Sequence, residues 1–390
     1  MITLTTADNA LKTIYLGVIG NQLNVGANPL LTKIKQTTNN VYGNEIRKAT
    51  SFGLSGGVSA GSEDGALPGA YNKGYAQFVL TLKNLYGTIE ITDKAIRASQ
   101  NSSGAFVNLL NEEMESLIKS STFNLGRMLY GDGSGVIANM VGSENIMGAY
   151  GAYVDNVKNV MEGLACKVVN GSGNYLQYDP LIVKNIERTL KYIQFDRTLD
   201  TTMNDMKLTT INGYNNEITG LEKIFSNKGE LYGINRSSNV WLKSKVKSDV
   251  GALSETVMQT VIDEIDEVSG GEIDYIACSS AVRRAYQEEL STYRRNVDVM
   301  NLQGGFKALS FNGIPVVADR FVADDTMYLL NTKDFELCQL CDWQWLEDNE
   351  GKVIRQKEGY PVYTATLVKY AELLCNRPNS QAKLTGIVGA

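Results

Sequence analysis

Histidine is absent from all 390 residues. Without an imidazole the chain has no Ser-His-Asp or Cys-His relay, no histidine-ligated metal or haem and no proton shuttle of that kind. Cysteine is sparse. The five thiols, Cys166, Cys278, Cys338, Cys341 and Cys375, are odd in number and scattered, unlike the dense pairing of small secreted domains, so a reducing compartment is expected. No basic leader opens the chain, and its first apolar run, Ile14-Tyr-Leu-Gly-Val-Ile-Gly20, falls far short of the roughly 20 residues of a membrane helix. A cytosolic product without an export signal is the expectation. Basic excess is lacking too: 37 Lys and Arg against 43 Asp and Glu give a net charge of −6, which argues against a protein that coats nucleic acid. What is present, 43% hydrophobic and 21% charged residues, suffices for a core and excludes a mainly disordered chain.

Residues 1–45 are rich in Asn, Thr and Gly, with apolar positions that follow no sustained period, as suits a segment laid over something else. Residues 49–70 are a glycine- and serine-rich tract with one proline, which forbids a helix and predicts a loop tip. A strand is expected before it, over 41–48. After it, residues 75–92 alternate apolar and polar at Phe78, Leu80 and Leu82 and again at Ile89 and Ile91, reading as a strand run of about 55 Å. Two isolated strands are marginal in water, so such a hairpin needs support from its own domain or from a neighbouring subunit.

Over 104–130 the residues Phe106, Leu110, Met114, Leu117, Ile118, Leu125, Met128 and Leu129 recur at three- and four-residue steps and predict one amphipathic helix of about 40 Å. Glu112, Glu113 and Glu115 precede Lys119 and Arg127, in accord with the helix dipole, and Gly131-Asp-Gly-Ser-Gly135 supplies a stop. The region 146–335 reads as a mixed domain. Helical spacing is found over 180–193 and over 254–268, the latter capped by Ser254, and a buried strand over 273–278 leads into a helix over 280–295. Strands are expected over 314–318, 326–330, 335–341 and 361–375.

Several motifs suggest chemistry and fail on inspection. Gly53-Leu-Ser55-Gly-Gly57 matches a nucleophile elbow, yet the serine has no histidine and sits in a tract built for a loop tip. Gly131–Gly135 resembles a phosphate cradle but follows a helix instead of opening one. Cys338 and Cys341 have redox or zinc spacing, but a strand points them to opposite faces and no second pair completes a four-sulfur site. Asp263, Glu264, Asp266 and Glu267 lie on a helix without the glycine of a calcium loop and read as a solvated face. Lys243, Lys245 and Lys247, with the pairs Arg283-Arg284 and Arg294-Arg295, lack interleaved aromatics and read as surface or intersubunit charge. Trp241, Trp343 and Trp345 are core or interface anchors. No catalytic, cofactor-binding or metal site is assigned.

The order of parts resembles the major capsid protein of tailed bacteriophages, the Hong Kong 97-type fold. The sharpest local pieces are Thr122-Phe-Asn-Leu-Gly-Arg-Met-Leu-Tyr-Gly-Asp-Gly-Ser-Gly135, Phe311-Asn-Gly-Ile-Pro-Val-Val317 and the closing stretch 370–387. The resemblance implies an α+β chain: an N-terminal arm (1–45), an extended β-hairpin loop (46–92), a peripheral domain with a long spine helix (93–145 and 336–378) and an α/β axial domain (146–335 and 379–390). It implies a non-enzymatic shell subunit, self-assembling as pentamers and hexamers into an icosahedral head around double-stranded DNA touched non-specifically. It further implies a portal protein, a separate scaffolding protein because the arm begins almost at Met1, room for a decoration protein, no membrane, and assembly in the host cytoplasm. Candidate intersubunit contacts are Phe52, Glu63, Asp64, Lys73, Tyr75, Phe78, Arg127, Arg236 and Trp241. Some members crosslink a loop lysine to a neighbour's asparagine with help from a buried glutamate. Lys73 is near the loop position, but Val368-Lys-Tyr370 stands where the glutamate is sought, so the crosslink is not carried over. The other readings are an encapsulin-like compartment of the same fold and a hydrolase using Ser55 or carboxylates, which the missing histidine opposes.

Overall fold

A computed structural model describes residues 28–100, 103–146, 149–176, 180–197, 206–293, 299–301 and 307–388. Residues 1–27, most of the expected arm, and the pair Arg294-Arg295 lie outside the described residues, as do the side chains of Phe106, Leu110 and Glu112. The Asn28 Oδ1 accepts the Leu30 and Leu31 amides at 3.1 and 3.2 Å, and Leu30, Leu31 and Ile34 enter the main core. This end of the expected arm is therefore fixed to the chain's own body.

Strand β1 (Lys35–Thr37) is followed by β2 (Val41–Tyr42), β3 (Glu45–Phe52) and β4 (Gly74–Thr81), which form a three-stranded antiparallel sheet. Strand β5 (Lys83–Thr92) belongs to another sheet, so the long strand expected over 75–92 is two strands. Side-chain parity explains the break. Phe78, Leu80 and Leu82 are buried on even positions, whereas Leu85, Ile89 and Ile91 are buried on odd ones, and a strand cannot bury both sets on one face. The ribbon turns over at Leu82, whose amide donates to the Asn44 carbonyl at 2.8 Å.

Helix α1 (Asp93–Gln100) leads to α2 (Ser103–Tyr130), about 42 Å long at 1.5 Å per residue. Met114, Leu117, Ile118, Leu125 and Leu129 form its buried stripe. It packs so closely on β5 that a Cβ at Gly87 would stand 2.6 Å from the Leu117 side chain.

Six further strands close into a barrel: β6 (Val136–Ile146), β7 (Ala149–Val154), β8 (Ala165–Val169), β9 (Leu181–Glu187), β10 (Tyr192–Phe195) and β11 (Lys207–Thr210). Its core, with Ile137, Val154, Cys166, Val183, Ile193 and Leu208, shares no residue with the other two cores. The helix expected over 180–193 is instead the hairpin β9–β10. Leu181 and Val183 are buried and Ile182 and Lys184 exposed, a period of two, and Lys191 takes a positive φ of 51° in the turn. Ile182, Val183, Ile186 and Ile193 are β-branched, and pairing with β7 and β8 decides between two apolar periods that the sequence supports about equally.

Beyond β11, a strap of residues 211–220 leads to α3 (Leu221–Phe225), β12 (Glu230–Leu231), β13 (Ile234–Asn235), β14 (Lys245–Lys247) and β15 (Gly251–Ala252). Helix α4 (Glu255–Ser269) starts as predicted, the Ser254 hydroxyl accepting the Val257 amide at 3.3 Å, and stops at Gly270 with φ 59°. Then come β16 (Tyr275–Cys278), α5 (Ser280–Tyr293), β17 (Val299–Asn301), β18 (Lys307–Phe311), β19 (Ile314–Ala318) and β20 (Met327–Leu330). The chain ends with β21 (Phe335–Trp345), β22 (Arg355–Gln356), β23 (Val362–Cys375), β24 (Ala382–Leu384) and β25 (Ile387–Val388).

Two sheets organise these elements. A seven-stranded mixed sheet, β14-β24-β20-β16-β19-β18-β17, shares one core with α4 and α5 through Val261, Ile265, Val282, Tyr286, Ile276 and Leu329. The central sheet runs β1-β21-β23-β22, with β5 along the other edge of β23, and contributes to the same core as α2. The class is α+β, as expected.

Candidate functional site, an extended loop and its anchor

The motifs that suggested chemistry have ordinary structural partners. Ser55 Oγ donates to the Tyr71 carbonyl at 2.8 Å on an exposed loop. Cys338 is buried and Cys341 half-buried on β21, and burial pushes the Cys338 thiol up to about 11, so it rests as a neutral thiol. Asp263 accepts from Gln259 and Glu264 pairs with Lys245 at 2.7 Å, both on the α4 surface. Among the described residues no cluster of three acidic, cysteine or histidine side chains could hold a metal, and no helix is long and apolar enough to cross a membrane.

The exposed feature is the loop between β3 and β4. Leu54, Val58 and Leu67 are 93%, 88% and 90% exposed, and Tyr71 and Tyr75 are largely in water as well. Side chains of this kind gain about 25 cal/mol for each Å² taken out of water, so the tip is a surface waiting for cover. Its base is anchored. Phe52 lies directly across from Gly74 in the ladder, and its ring covers that glycine so closely that a Cβ there would stand 2.3 Å from it. The same ring stacks on Trp241 with centroids 4.7 Å apart and planes 7° from parallel. Phe78 packs edge-on to Tyr232 at 5.3 Å, and the Val79 amide donates to the Tyr232 carbonyl at 3.1 Å. Ile46, Phe78, Leu80 and Leu82 thus enter the chain's own core. The hairpin base is supported from within the chain, and the tip is uncovered among the described residues.

The nine residues predicted to meet a neighbour therefore divide. Glu63, Asp64, Lys73 and Tyr75 are exposed on the loop, with the Lys73 ammonium 5.6 Å over the Tyr75 ring. Phe52, Phe78 and Trp241 come together in the anchor. Arg127 and Arg236 are buried in contacts within the chain. Arg236 donates to the Ile224 and Lys223 carbonyls, each at 2.8 Å, while Arg127 forks onto Glu217 at 2.8 and 2.5 Å.

That fork opens a charged network the sequence reading missed. Glu217 lies on the strap, which Lys83 also holds by donating to the Asn215 carbonyl at 3.0 Å. Glu372 on β23, 2% exposed, accepts the Thr219 amide at 2.6 Å and its neighbour Leu373's amide at 3.0 Å. Burial pushes its carboxyl up to about 7, against the pull of those two amides and of Lys83. Nearby Lys369 is fully buried and bonds Asp342 at 2.7 Å, with burial lowering its pKa and Asp342 raising it. A lone lysine and a lone glutamate inside the apolar run 365–375 were the available signal, since such groups are buried only with partners.

No family model matches the sequence, and no curated protein matches it either. Solved structures do match. The capsid asymmetric unit of cyanophage A-1(L) is similar over 94% of this chain and 92% of its own, with a TM-score of 0.57 and 12% identity. The capsid of Myoviridae phage XM1 covers 93% and 92% at a TM-score of 0.47 and 9% identity. The holo-SrpI encapsulin complex from Synechococcus elongatus covers 92% and 86%, also at 0.47 and 9%. The match to the cyanophage subunit over nearly the full length of both chains shows the fold.

Proposed function

We propose that this chain, which has the Hong Kong 97-type fold, is the major capsid protein of a tailed double-stranded DNA bacteriophage. The observation that carries the reading is the shared fold over almost the whole length of a phage capsid subunit, together with a loop whose apolar side chains have no cover among the described residues. The role is structural. The subunit associates with itself as pentamers and hexamers, and the product is an icosahedral head located in the virion and built in the host cytoplasm.

In this reading residues 1–45 are the arm and 46–92 the extended loop. Residues 93–145 with 336–378 are the peripheral domain, and 146–335 with 379–390 the axial domain. The loop tip, through Glu63, Asp64, Lys73 and Tyr75, lies on a neighbouring subunit. Each such contact is weak after association costs, and a closed shell multiplies it. A net charge of −6 suits a wall that touches packaged DNA without gripping it. A portal and a separate scaffolding protein are the further partners of this reading, which leaves room for a decoration protein.

Electron microscopy of the expressed chain, with and without a co-expressed scaffolding partner, tests this. Uniform polyhedral shells that take up DNA are the expected result. Shells holding an enzyme and no DNA would move the reading to a compartment, and monomers under every condition would overturn it.

A further inference from the structure

The strap 211–220 carries the chain from the barrel back to α3, and three side chains from three different elements hold it down. Arg127 of α2 forks onto Glu217, Lys83 of β5 donates to the Asn215 carbonyl, and Glu372 of β23 accepts the Thr219 amide. Arginine keeps its charge at any pH the protein meets, and lysine ordinarily titrates well above neutrality. Glu372 is different because of its surroundings. The groups that face it are Lys83 from β5, Cys338 from β21, Tyr232 from the β12–β13 turn and Thr219 on the strap itself. Burial raises both the Cys338 thiol and the Tyr232 hydroxyl, so they stay neutral, and Lys83 is the one opposite charge among them. An ionised Glu372 is thus a desolvated anion with one cation and two amides for company, and lifting the strap would return it to water.

We propose that Glu372 is a proton-operated latch: protonated, it keeps the strap down on the central sheet, and ionised, it favours release of the strap and so loosens the barrel from the body. The sign follows from linkage. The closed state holds the proton up to about pH 7, whereas a hydrated glutamate loses it near 4.3. The closed state therefore binds the proton more tightly, acid favours closure, and closure weakens as pH rises from about 4.5 to about 7, with no further change above that. The proposal concerns the single subunit and does not depend on the capsid reading.

Hydrogen exchange on the full chain, with rates corrected for intrinsic pH dependence, tests it. Protection of the amides in 211–220 should fall roughly 10-fold between pH 6 and pH 8, while α4 stays flat. Glu372→Gln should abolish that fall. Lys83→Met removes the cation that favours the carboxylate, so it should move the transition to higher pH, and it serves as the test if the glutamine variant does not fold. Equal strap protection at both pH values, an unchanged fall in Glu372→Gln, or a downward move in Lys83→Met would overturn the latch.

Discussion

Glu217→Gln leaves the Arg127 guanidinium at 4% exposure with its counter-charge removed. In the parent chain the two side chains share bonds of 2.8 and 2.5 Å, and Thr210 Oγ1 adds a third contact to the carboxylate at 3.3 Å. The Arg127 Nε is buried without a partner, and the neutral Asn124 Oδ1, 3.5 Å from Nη2, is the other side-chain acceptor near the guanidinium. Breaking one side of a buried pair costs about 3–5 kcal/mol, because the remaining charge stays desolvated and uncompensated. Replacing both members by apolar residues removes the desolvation problem along with the attraction. The double variant Arg127→Met, Glu217→Leu should therefore lose less stability than Glu217→Gln alone, although it removes more interactions. Urea unfolding of the unassembled subunit, comparing midpoints at constant slope, measures both. A single variant within about 1 kcal/mol of the parent, or a double variant worse than the single, would refute the argument that this ion pair locks the end of α2 to the barrel exit.

Two further substitutions probe the scaffold. Trp241→Ala removes the stack that holds Phe52 over Gly74 and should cost about 1–3 kcal/mol, less than a fully buried tryptophan because the ring is half-exposed. Hydrogen exchange should show β3 and β4 losing protection while β16 is unchanged. Gly135→Ala places a Cβ 2.0 Å from the Gly213 carbonyl oxygen at a residue with φ 73°, so it should cost more than about 3 kcal/mol and lower the thermal midpoint clearly.

The fold was legible where local signals and tertiary pairing agree. Helix α4 was marked at its start by Ser254, and α2 by a long stripe of apolar residues with a glycine stop. Strand β19 was bounded by its own apolar run. The hairpin β9–β10 was not legible, because Leu181, Val183, Ile186 and Ile193 fit both periods and only their neighbours in the barrel choose between them. The break at Leu82 was written in the parity of Leu82 and Leu85 but needed both strands to be assigned to different sheets before it could be read. At the candidate site, the exposed tip followed from composition. The burial of Arg127 and Arg236 did not, since their partners, Glu217 and the carbonyls of Lys223 and Ile224, are set by the fold.

The shell account rests on the loop tip being covered by another copy. Trypsin cleavage after Lys73, followed by mass spectrometry on free subunits and on sedimented particles from one preparation, asks this directly. Lys73 is the single basic residue between Lys48 and Lys83, and the loop around it is exposed, so free subunits should be cut there early. Assembled particles should resist at that site while other exposed lysines remain cleavable. Equal cleavage after Lys73 in both fractions would contradict the account.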